Sequence, residues 1–390
     1  MTGKSMRKCI ITALAVMSLA VSLTGCSGGS ADSDTIKIGG NFELTGNSAS
    51  YGASAKNGME MAVKEINDQG GLLGKKIEIV TADNRSEATE AANAMQKLLD
   101  SDVKFIIGPD TSSGSLACVN TADKEKIPMI TPYGTNPDIT VDPSSKQVHP
   151  YVFRTAFIDT FQGKVMADFA VTNLKAKTAA IYVDNSSDYA KGLRKFFVDE
   201  FGAKGGQVVS EEAYLQKDTD FKAALTKIKA ANPDIIFVPG YYQEVGMIVK
   251  QARELGITQP IVGGDGWDSA KLIEIAGADN LNNCYFGNHY SADDTSDEVK
   301  TFVANYQKAY NVKPDAPAAL AYDSVMILAK AIKDANSLDA DKVKDALAKI
   351  SNLKAVAGTI TYDENHDPVK SAVILTFKEG KQSFVTKIQP

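Results

Sequence analysis

A cluster of hydroxyl side chains follows a short buried-strand pattern at residues 103–107. Thr111, Ser112, Ser113 and Ser115 come after this pattern, at the start of helix-compatible sequence. A hydroxyl-rich turn that opens a helix combines backbone N–H groups, the positive end of the helix dipole and side-chain donors. Because the turn contains no lysine or arginine, this combination favours a carboxylate as the ligand. Taken alone, Ser112 or Ser113 would be interpreted as an ordinary helix cap.

A second loop of the same kind follows the next strand pattern along the chain. The pattern at 128–131 ends at Pro132, and Tyr133 and Thr135 come directly after it. Parallel strands of an open α/β sheet place such loops at one edge, where ligands bind. Two polar loops on neighbouring strands therefore favour a ligand site over a pair of helix caps.

Acidic and aromatic residues follow strand patterns in the second half of the chain. Tyr241 comes after 235–238, and Asp265 and Trp267 come after 261–262 in a glycine-rich segment. Taken singly, Asp265 would be interpreted as a turn residue and Trp267 as a core residue. Together they predict an acid and aromatic rings that face the hydroxyls of the first half. That arrangement suits an α-amino acid, which needs donors for its carboxylate, an acid for its ammonium and apolar surface for its side chain.

The elements that would position these residues alternate between strand and helix patterns from Thr35 onward. Strand, helix and strand at this spacing predict right-handed βαβ units and a mostly parallel sheet. An extended segment at 151–155 separates two such series of similar size. We therefore predict an α/β fold of two doubly wound, Rossmann-like lobes, each with a central parallel sheet, and a cleft between them. The tail contains helix patterns followed by lone strands. We predict that it adds elements to both lobes and does not form a third domain.

Composition and motifs argue against other classes of function. The chain has 390 residues and a net charge of −6, which argues mildly against a nucleic-acid partner. It contains no dinucleotide-binding glycine motif and no P-loop, and its three histidines lie far apart, without metal-ligand spacing. Cys118 and Cys284 favour two buried free thiols over a disulfide. We predict a binding protein with no cofactor, no metal and no nucleic-acid partner, and keep an exported α/β enzyme as a remote alternative.

The N-terminal segment predicts export and lipid attachment. A basic start is followed by an apolar run of 14 residues, 10–23, which is short for a membrane span and suits a secretory signal. The sequence Leu-Thr-Gly-Cys at 23–26 resembles a bacterial lipobox, which implies cleavage before Cys26 and a lipid on its thiol. We predict a lipoprotein signal peptide over 1–25 and a flexible tether over 26–35. The protein would then be anchored at the outer face of the cytoplasmic membrane or in the periplasm.

Taken together, these segments resemble the leucine/isoleucine/valine-binding proteins of ABC importers, which are type I periplasmic binding proteins. The resemblance covers the chain from Ile36, and its marks occur in the family's order and spacing: 58–75, 108–115, 130–137, 153–155, 189–193, 240–242 and 263–266. It implies two lobes joined by three hinge crossovers. The N-terminal lobe would contain 36–156 plus 290–362, and the C-terminal lobe 157–289 plus 363–390.

The resemblance also implies roles for individual residues. Ser112 would bind the ligand carboxylate, Thr135 would bind both ends of the amino acid, and Tyr133 would act through its backbone. Tyr241 would lie near the ligand headgroup. Asp265 stands where leucine-binding members carry a glutamate for the ammonium.

Two further tyrosines, Tyr51 and Tyr189, match positions that line the family's pocket. Three departures from the family pattern affect specificity. Asp265 is one methylene shorter than glutamate, Tyr133 replaces a small residue, and Trp267 adds bulk beside the acid. These departures keep aromatic and small polar amino acids open as ligands.

The implied function is that of an extracytoplasmic receptor. It would bind a branched-chain or other hydrophobic amino acid between its lobes and deliver it to the permease subunits of an ABC importer. The receptor would be a monomer held at the membrane through Cys26, and ligand binding would shift it from open to closed. The alternative is a receptor of the same fold for a short amide, a keto acid or an aromatic acid. Such ligands carry no ammonium and would leave Asp265 unpaired.

Overall fold

Two mainly parallel β-sheets organise the chain in the structure, a computed structural model that describes residues 35–390. The predicted signal peptide and Cys26 lie outside the described residues. The first sheet contains β1 (Thr35–Phe42), β2 (Lys76–Asp83), β3 (Phe105–Ile107), β4 (Met129–Thr131) and β5 (Val152–Arg154). Its spatial order is β2-β1-β3-β4-β5, and every pair is parallel. The predicted strands at 103–107 and 128–131 correspond to β3 and β4, which are buried throughout.

The remaining strands are β6 (Thr178–Asp184), β7 (Gln207–Tyr214), β8 (Ile235–Phe237), β9 (Ile261–Gly263), β10 (Cys284–Asn288), β11 (Leu353–Ala355), β12 (Gly358–Ile360), β13 (Ala372–Lys378) and β14 (Lys381–Ile388). Seven of them form the second sheet, in the order β14-β13-β10-β9-β8-β6-β7. Its first two strands are antiparallel additions, because β13 pairs antiparallel with both β10 and β14. The first of the lone strands predicted in the tail joins neither large sheet, since β12 pairs with β11 in a hairpin of its own.

The helices are α1 (Ala49–Asp68), α2 (Ala88–Leu99), α3 (Ser112–Lys124), α4 (Asp159–Thr172), α5 (Asp188–Ala203), α6 (Lys222–Ala231), α7 (Tyr242–Glu254), α8 (Ala270–Ala276), α9 (Asp297–Tyr310), α10 (Ala316–Ala335) and α11 (Ala340–Leu347). Helices α1, α2, α3 and α10 pack with the first sheet and define the first lobe. Helices α4, α5 and α6 pack on the second sheet, and α7 and α8 pack on each other in the same hydrophobic core; these five define the second lobe. Within residues 35–390, no helix is both long enough and apolar enough to cross a membrane.

The tail of the chain completes both lobes. Helix α10 packs along α1, and the two come so close that a Cβ added at Gly58 would lie 2.1 Å from the carbonyl oxygen of Ala318. Strands β13 and β14 instead extend the second sheet. The chain therefore passes between the lobes three times: after β5, after β10 and before β13. The boundaries predicted at 156, 290 and 362 stay a prediction.

Cys118 and Cys284 belong to different lobes. Cys118 lies in α3 and Cys284 in β10, and both are buried free thiols. Burial raises the pKa of Cys118 to about 12 and that of Cys284 to about 11, so both stay protonated at neutral pH. Each thiol therefore acts as a small apolar core group.

Candidate functional site

The start of α3 brings the two predicted hydroxyl-bearing loops together. Thr111 caps this helix, because its side chain accepts a hydrogen bond from the backbone N–H of Gly114. Ser112 is therefore not the cap. Its Oγ instead accepts hydrogen bonds from the backbone N–H groups of Thr135 at 3.3 Å and Asn136 at 3.2 Å. The loops after β3 and β4 are thus joined through one hydroxyl.

Asp159 is a buried acid next to these loops that the sequence analysis missed. Its side chain is inaccessible to solvent, and neither carboxylate oxygen has a well-aligned hydrogen-bond partner. Its backbone N–H donates to the carbonyl of Thr135 at 2.9 Å. Burial and the charge of Asp265 raise the pKa of Asp159 well above its usual range, while the Thr135 hydroxyl and Arg154 oppose that rise. Because Asp159 is the first residue of α4, its sequence position looked like that of an ordinary helix-start acid.

Asp265 lies just after β9, and two further side chains hold its carboxylate. Gln162 donates to one oxygen at 2.8 Å, and His289 lies 2.9 Å from the other through its Nε2 atom. Since a carboxylate accepts hydrogen bonds, Nε2 of the neutral imidazole carries the proton and Nδ1 is an acceptor. The sequence analysis assigned no role to His289 or to Gln162. The two residues lie far from Asp265 along the chain, and only the fold brings them to it.

Four predicted tyrosines converge between the lobes: Tyr51, Tyr133, Tyr189 and Tyr241. Tyr51 contacts Tyr133 and Tyr241 edge-on, with ring centroids 5.4 and 5.7 Å apart, and Tyr189 stacks on Tyr241 at 5.1 Å. All four are buried. The hydroxyl of Tyr133 donates across the cleft to the backbone carbonyl of Asp265. The side chain of Tyr133 therefore joins the two lobes, and its backbone contact with the ligand stays a prediction.

Trp267 lies in the core of the second lobe, away from this cluster. Its indole N–H donates to the carbonyl of Val238 at 3.0 Å, and its ring stacks near Phe286 with centroids 6.2 Å apart. A Cβ added at Gly263 would lie 2.2 Å from the indole, so the ring packs directly on the strand. This placement favours a packing role for Trp267 over the predicted contact with the ligand.

Contacts at the rim of the cleft join the two lobes. Ser113 donates to the carboxylate of Asp188 at 2.9 Å, and Asn136 donates to the carbonyl of the same residue at 3.1 Å. Farther along the rim, Asn47 donates to Glu244 at 2.7 Å. The structure is therefore closed, and the residues around Ser112 and Asp265 lie between the lobes, out of contact with solvent.

The burial of His289 predicts a specific loss of stability in acid. Burial lowers its pKa to about 4, against the opposing effect of Asp265, whereas the unfolded chain takes up this proton near pH 6.5. The unfolded state therefore binds more protons between these values. Stability that is present above pH 6.5 is lost as the pH falls towards 4, by about 3 kcal/mol for this residue.

Urea unfolding of the wild type and of His289→Gln at pH 7 and pH 4 measures this contribution. We expect the variant to lose less unfolding free energy than the wild type over the same interval. Equal losses in the two proteins would show that His289 does not titrate in this way.

The comparisons with known proteins agree with this architecture. The family model described as periplasmic binding protein matches residues 35–382. The chain belongs to the periplasmic binding protein family. This chain is therefore a non-enzymatic, extracytoplasmic receptor component of an ABC transporter.

Individual relatives are similar over nearly the whole described chain. A Leu/Ile/Val-binding protein, BraC3 of Rhizobium johnstonii, is 33% identical over 333 residues, which are 85% of this chain and 88% of the relative. The structure of the branched-chain amino acid transporter substrate-binding protein LivJ from Streptococcus pneumoniae, in complex with isoleucine, is 41% identical. It superimposes with a TM-score of 0.85 and covers 91% of this chain and 100% of that one. The leucine-binding protein LivK of Thermotoga maritima is 38% identical, with a TM-score of 0.85 and coverage of 91% and 99%.

Proposed function

We propose that this periplasmic binding protein binds an α-amino acid with a branched-chain or other hydrophobic side chain and delivers it to the permease of an ABC importer. The observation that carries the proposal is the pair of buried acids, Asp159 and Asp265, beside the donors of Ser112 and Thr135. A buried carboxylate without a partner is costly. A ligand ammonium would compensate that charge.

The first lobe supplies groups for the carboxylate end of such a ligand. The Ser112 hydroxyl lies at the first turn of α3, where the helix dipole favours negative charge. The buried hydroxyl of Thr135 has no well-aligned partner and lies beside Asp159. These two features support our proposal that Thr135 contacts both ends of a zwitterion.

The remaining surface of the cleft suits an apolar side chain. Tyr51, Tyr189 and Tyr241 present aromatic rings from both lobes, and none of them is exposed. The relatives named for leucine, isoleucine and valine support an aliphatic ligand. The alternative ligand is a short amide, a keto acid or an aromatic acid, which would also pack on these rings. It would leave Asp159 without a cation, which favours the amino acid.

A thermal-shift panel tests this function, since a ligand of the native state raises its melting temperature. We expect L-leucine, L-isoleucine and L-valine to raise the melting temperature by several degrees. Their deaminated carboxylic acids, which have the same side chains and no ammonium, should have little effect. An equal shift with leucine and its deaminated analogue would reject the amino-acid assignment in favour of the acid.

We also propose that the protein is held at the membrane by a lipid on Cys26, as a monomer. The support is the lipobox-like sequence at 23–26 and the polar tether that follows it. The tether would let the lobes reach a permease while the lipid stays in the membrane. Mass spectrometry of the N-terminal peptide should show an acylated Cys26, and an unmodified Cys26 in the exported protein would contradict the anchor.

A further inference from the structure

A row of five aromatic rings crosses the cleft on one side of the site. We name it the aromatic wall, and its members in order are Tyr242, Tyr51, Tyr133, His289 and Phe157. Neighbouring ring centroids are 5.0, 5.4, 5.4 and 3.7 Å apart. The two central tyrosines come from the first lobe, whereas Tyr242 and His289 come from the second. The wall is therefore complete only when the lobes are in contact.

Tyr133 is fixed at both of its ends in this wall. Its backbone continues from β4 in the first lobe, and its hydroxyl donates to the carbonyl of Asp265 in the second. Tyr51 makes the equivalent bond to the next carbonyl, that of Gly266. Both bonds are buried, so a rotation of the Tyr133 ring away from the cleft would leave a carbonyl without a donor. In the closed protein the ring is a rigid boundary.

The position of Tyr133 puts this boundary between Thr135 and Asp265, the residues proposed above to hold the ligand headgroup. Tyr133 precedes Thr135 by two residues, and it is bonded to the backbone of Asp265. If the headgroup lies between Thr135 and Asp265, as proposed above, the first carbon atoms of the ligand side chain would leave it beside this ring. The hydroxyl hydrogens of Tyr51 and Tyr133 are already committed to carbonyls, so a polar side chain would find no donor from them.

We propose that Tyr133 is the specificity-determining residue of the cleft, which admits compact aliphatic side chains and excludes aromatic ones. This inference rests on the amino-acid function proposed above. Because the ring is held from both lobes, a phenylalanine side chain could enter only by displacing it or by preventing closure. Valine and leucine would instead pack against its face.

Calorimetric titration of L-valine, L-leucine and L-phenylalanine into three proteins tests the role of Tyr133. We expect the wild type to bind phenylalanine at least about 100-fold more weakly than leucine, which is within the range that pocket shape achieves. In Tyr133→Ala the gap should shrink to about 10-fold or less, since the ring is gone. In Tyr133→Phe the ring stays and the carbonyl of Asp265 loses its donor, so both affinities should fall about 10-fold with their ratio unchanged.

A matched control is Tyr362→Phe. The ring of Tyr362 packs on Phe153 outside the cleft, and its buried hydroxyl, which the substitution removes, has no hydrogen-bond partner among the described residues. This control should keep the wild-type affinities. If circular dichroism shows that Tyr133→Ala is unfolded, Tyr133→Leu replaces it, because leucine keeps apolar contact with Tyr51 and shortens the wall. An unchanged leucine-to-phenylalanine ratio in the folded variant would overturn the role of Tyr133. Failure of the wild type to bind any amino acid would instead overturn the proposed function.

Discussion

Asp159→Asn is expected to weaken amino-acid binding by about 100-fold or more. Loss of one member of a buried, hydrogen-bonded charge pair costs about 2–5 kcal/mol. In the native protein the carboxylate of Asp159 is fully buried and lies beside Thr135, with no well-aligned partner of its own. The ammonium of the ligand would supply that partner. Asparagine has nearly the same shape and cannot carry the charge.

Titration calorimetry with L-leucine measures this effect, and Asp184→Asn is the matched control. Asp184 is also a buried acid whose pKa is raised by burial, but its carboxylate accepts hydrogen bonds from the backbone N–H and the hydroxyl of Ser186 at the end of β6. The control should bind leucine with nearly wild-type affinity. If Asp159→Asn binds leucine as tightly as the control does, Asp265 alone provides the negative charge and our assignment of Asp159 is wrong.

Arg154→Met is expected to lower the free energy of unfolding by about 3–5 kcal/mol, as is typical when one member of a buried ion pair is removed. The Nε atom of Arg154 lies 2.5 Å from the carboxylate of Asp367, and the arginine side chain is fully buried. The same guanidinium donates to the carbonyl of Gly134 at 3.0 Å and to the hydroxyl of Thr140 at 2.8 Å. Arg154 thus holds the loop after β4, which contains Tyr133 and Thr135, and links this loop to Asp367 near the last crossover.

A double variant separates the lost pairing from the lost packing. In Arg154→Met the carboxylate of Asp367 is buried without its cation, whereas Arg154→Met with Asp367→Asn leaves a neutral amide that can still accept from Thr140. We expect the double variant to recover more than half of the loss, as measured by urea unfolding at pH 7. Burial already raises the pKa of Asp367, so its carboxylate should become protonated in acid. The loss of unfolding free energy in Arg154→Met should therefore be smaller in acid than at pH 7. A double variant as unstable as the single one would show that packing dominates.

Several parts of the site followed from local sequence features. A hydroxyl-rich turn after a buried strand marked Ser112, and the end of the next strand marked Tyr133 and Thr135. These signals are local, because strand periodicity and turn chemistry depend on residues close together in the chain. For Trp267 the same signals are ambiguous and its ligand contact stays a prediction, since a residue that follows a strand can point either to the cleft or to the core. Its indole found a carbonyl partner inside the second lobe.

In the tail, local sequence patterns predicted the elements but did not predict all of their pairing partners. Its helix and strand patterns were visible in the sequence, and the prediction that they complete both lobes agrees with the packing of α10 on α1 and of β13 beside β10. The pairing of β12 with β11 was not visible. Short apolar runs carry no information about their partner, and a short hairpin presents the same pattern as a strand of a large sheet.

By itself, the sequence determined that this chain forms alternating α/β lobes with polar loops at the ends of particular strands, and its motifs matched a family of binding proteins. Those properties depend on period, turn residues and spacing, all of which are local. Only the tertiary structure brought Asp159, Gln162 and His289 to Asp265 and Thr135, and turned the side chain of Tyr133 across the cleft. Such contacts join residues far apart in the sequence, within the second lobe or across the cleft, and the path of the chain through three crossovers decides which residues meet.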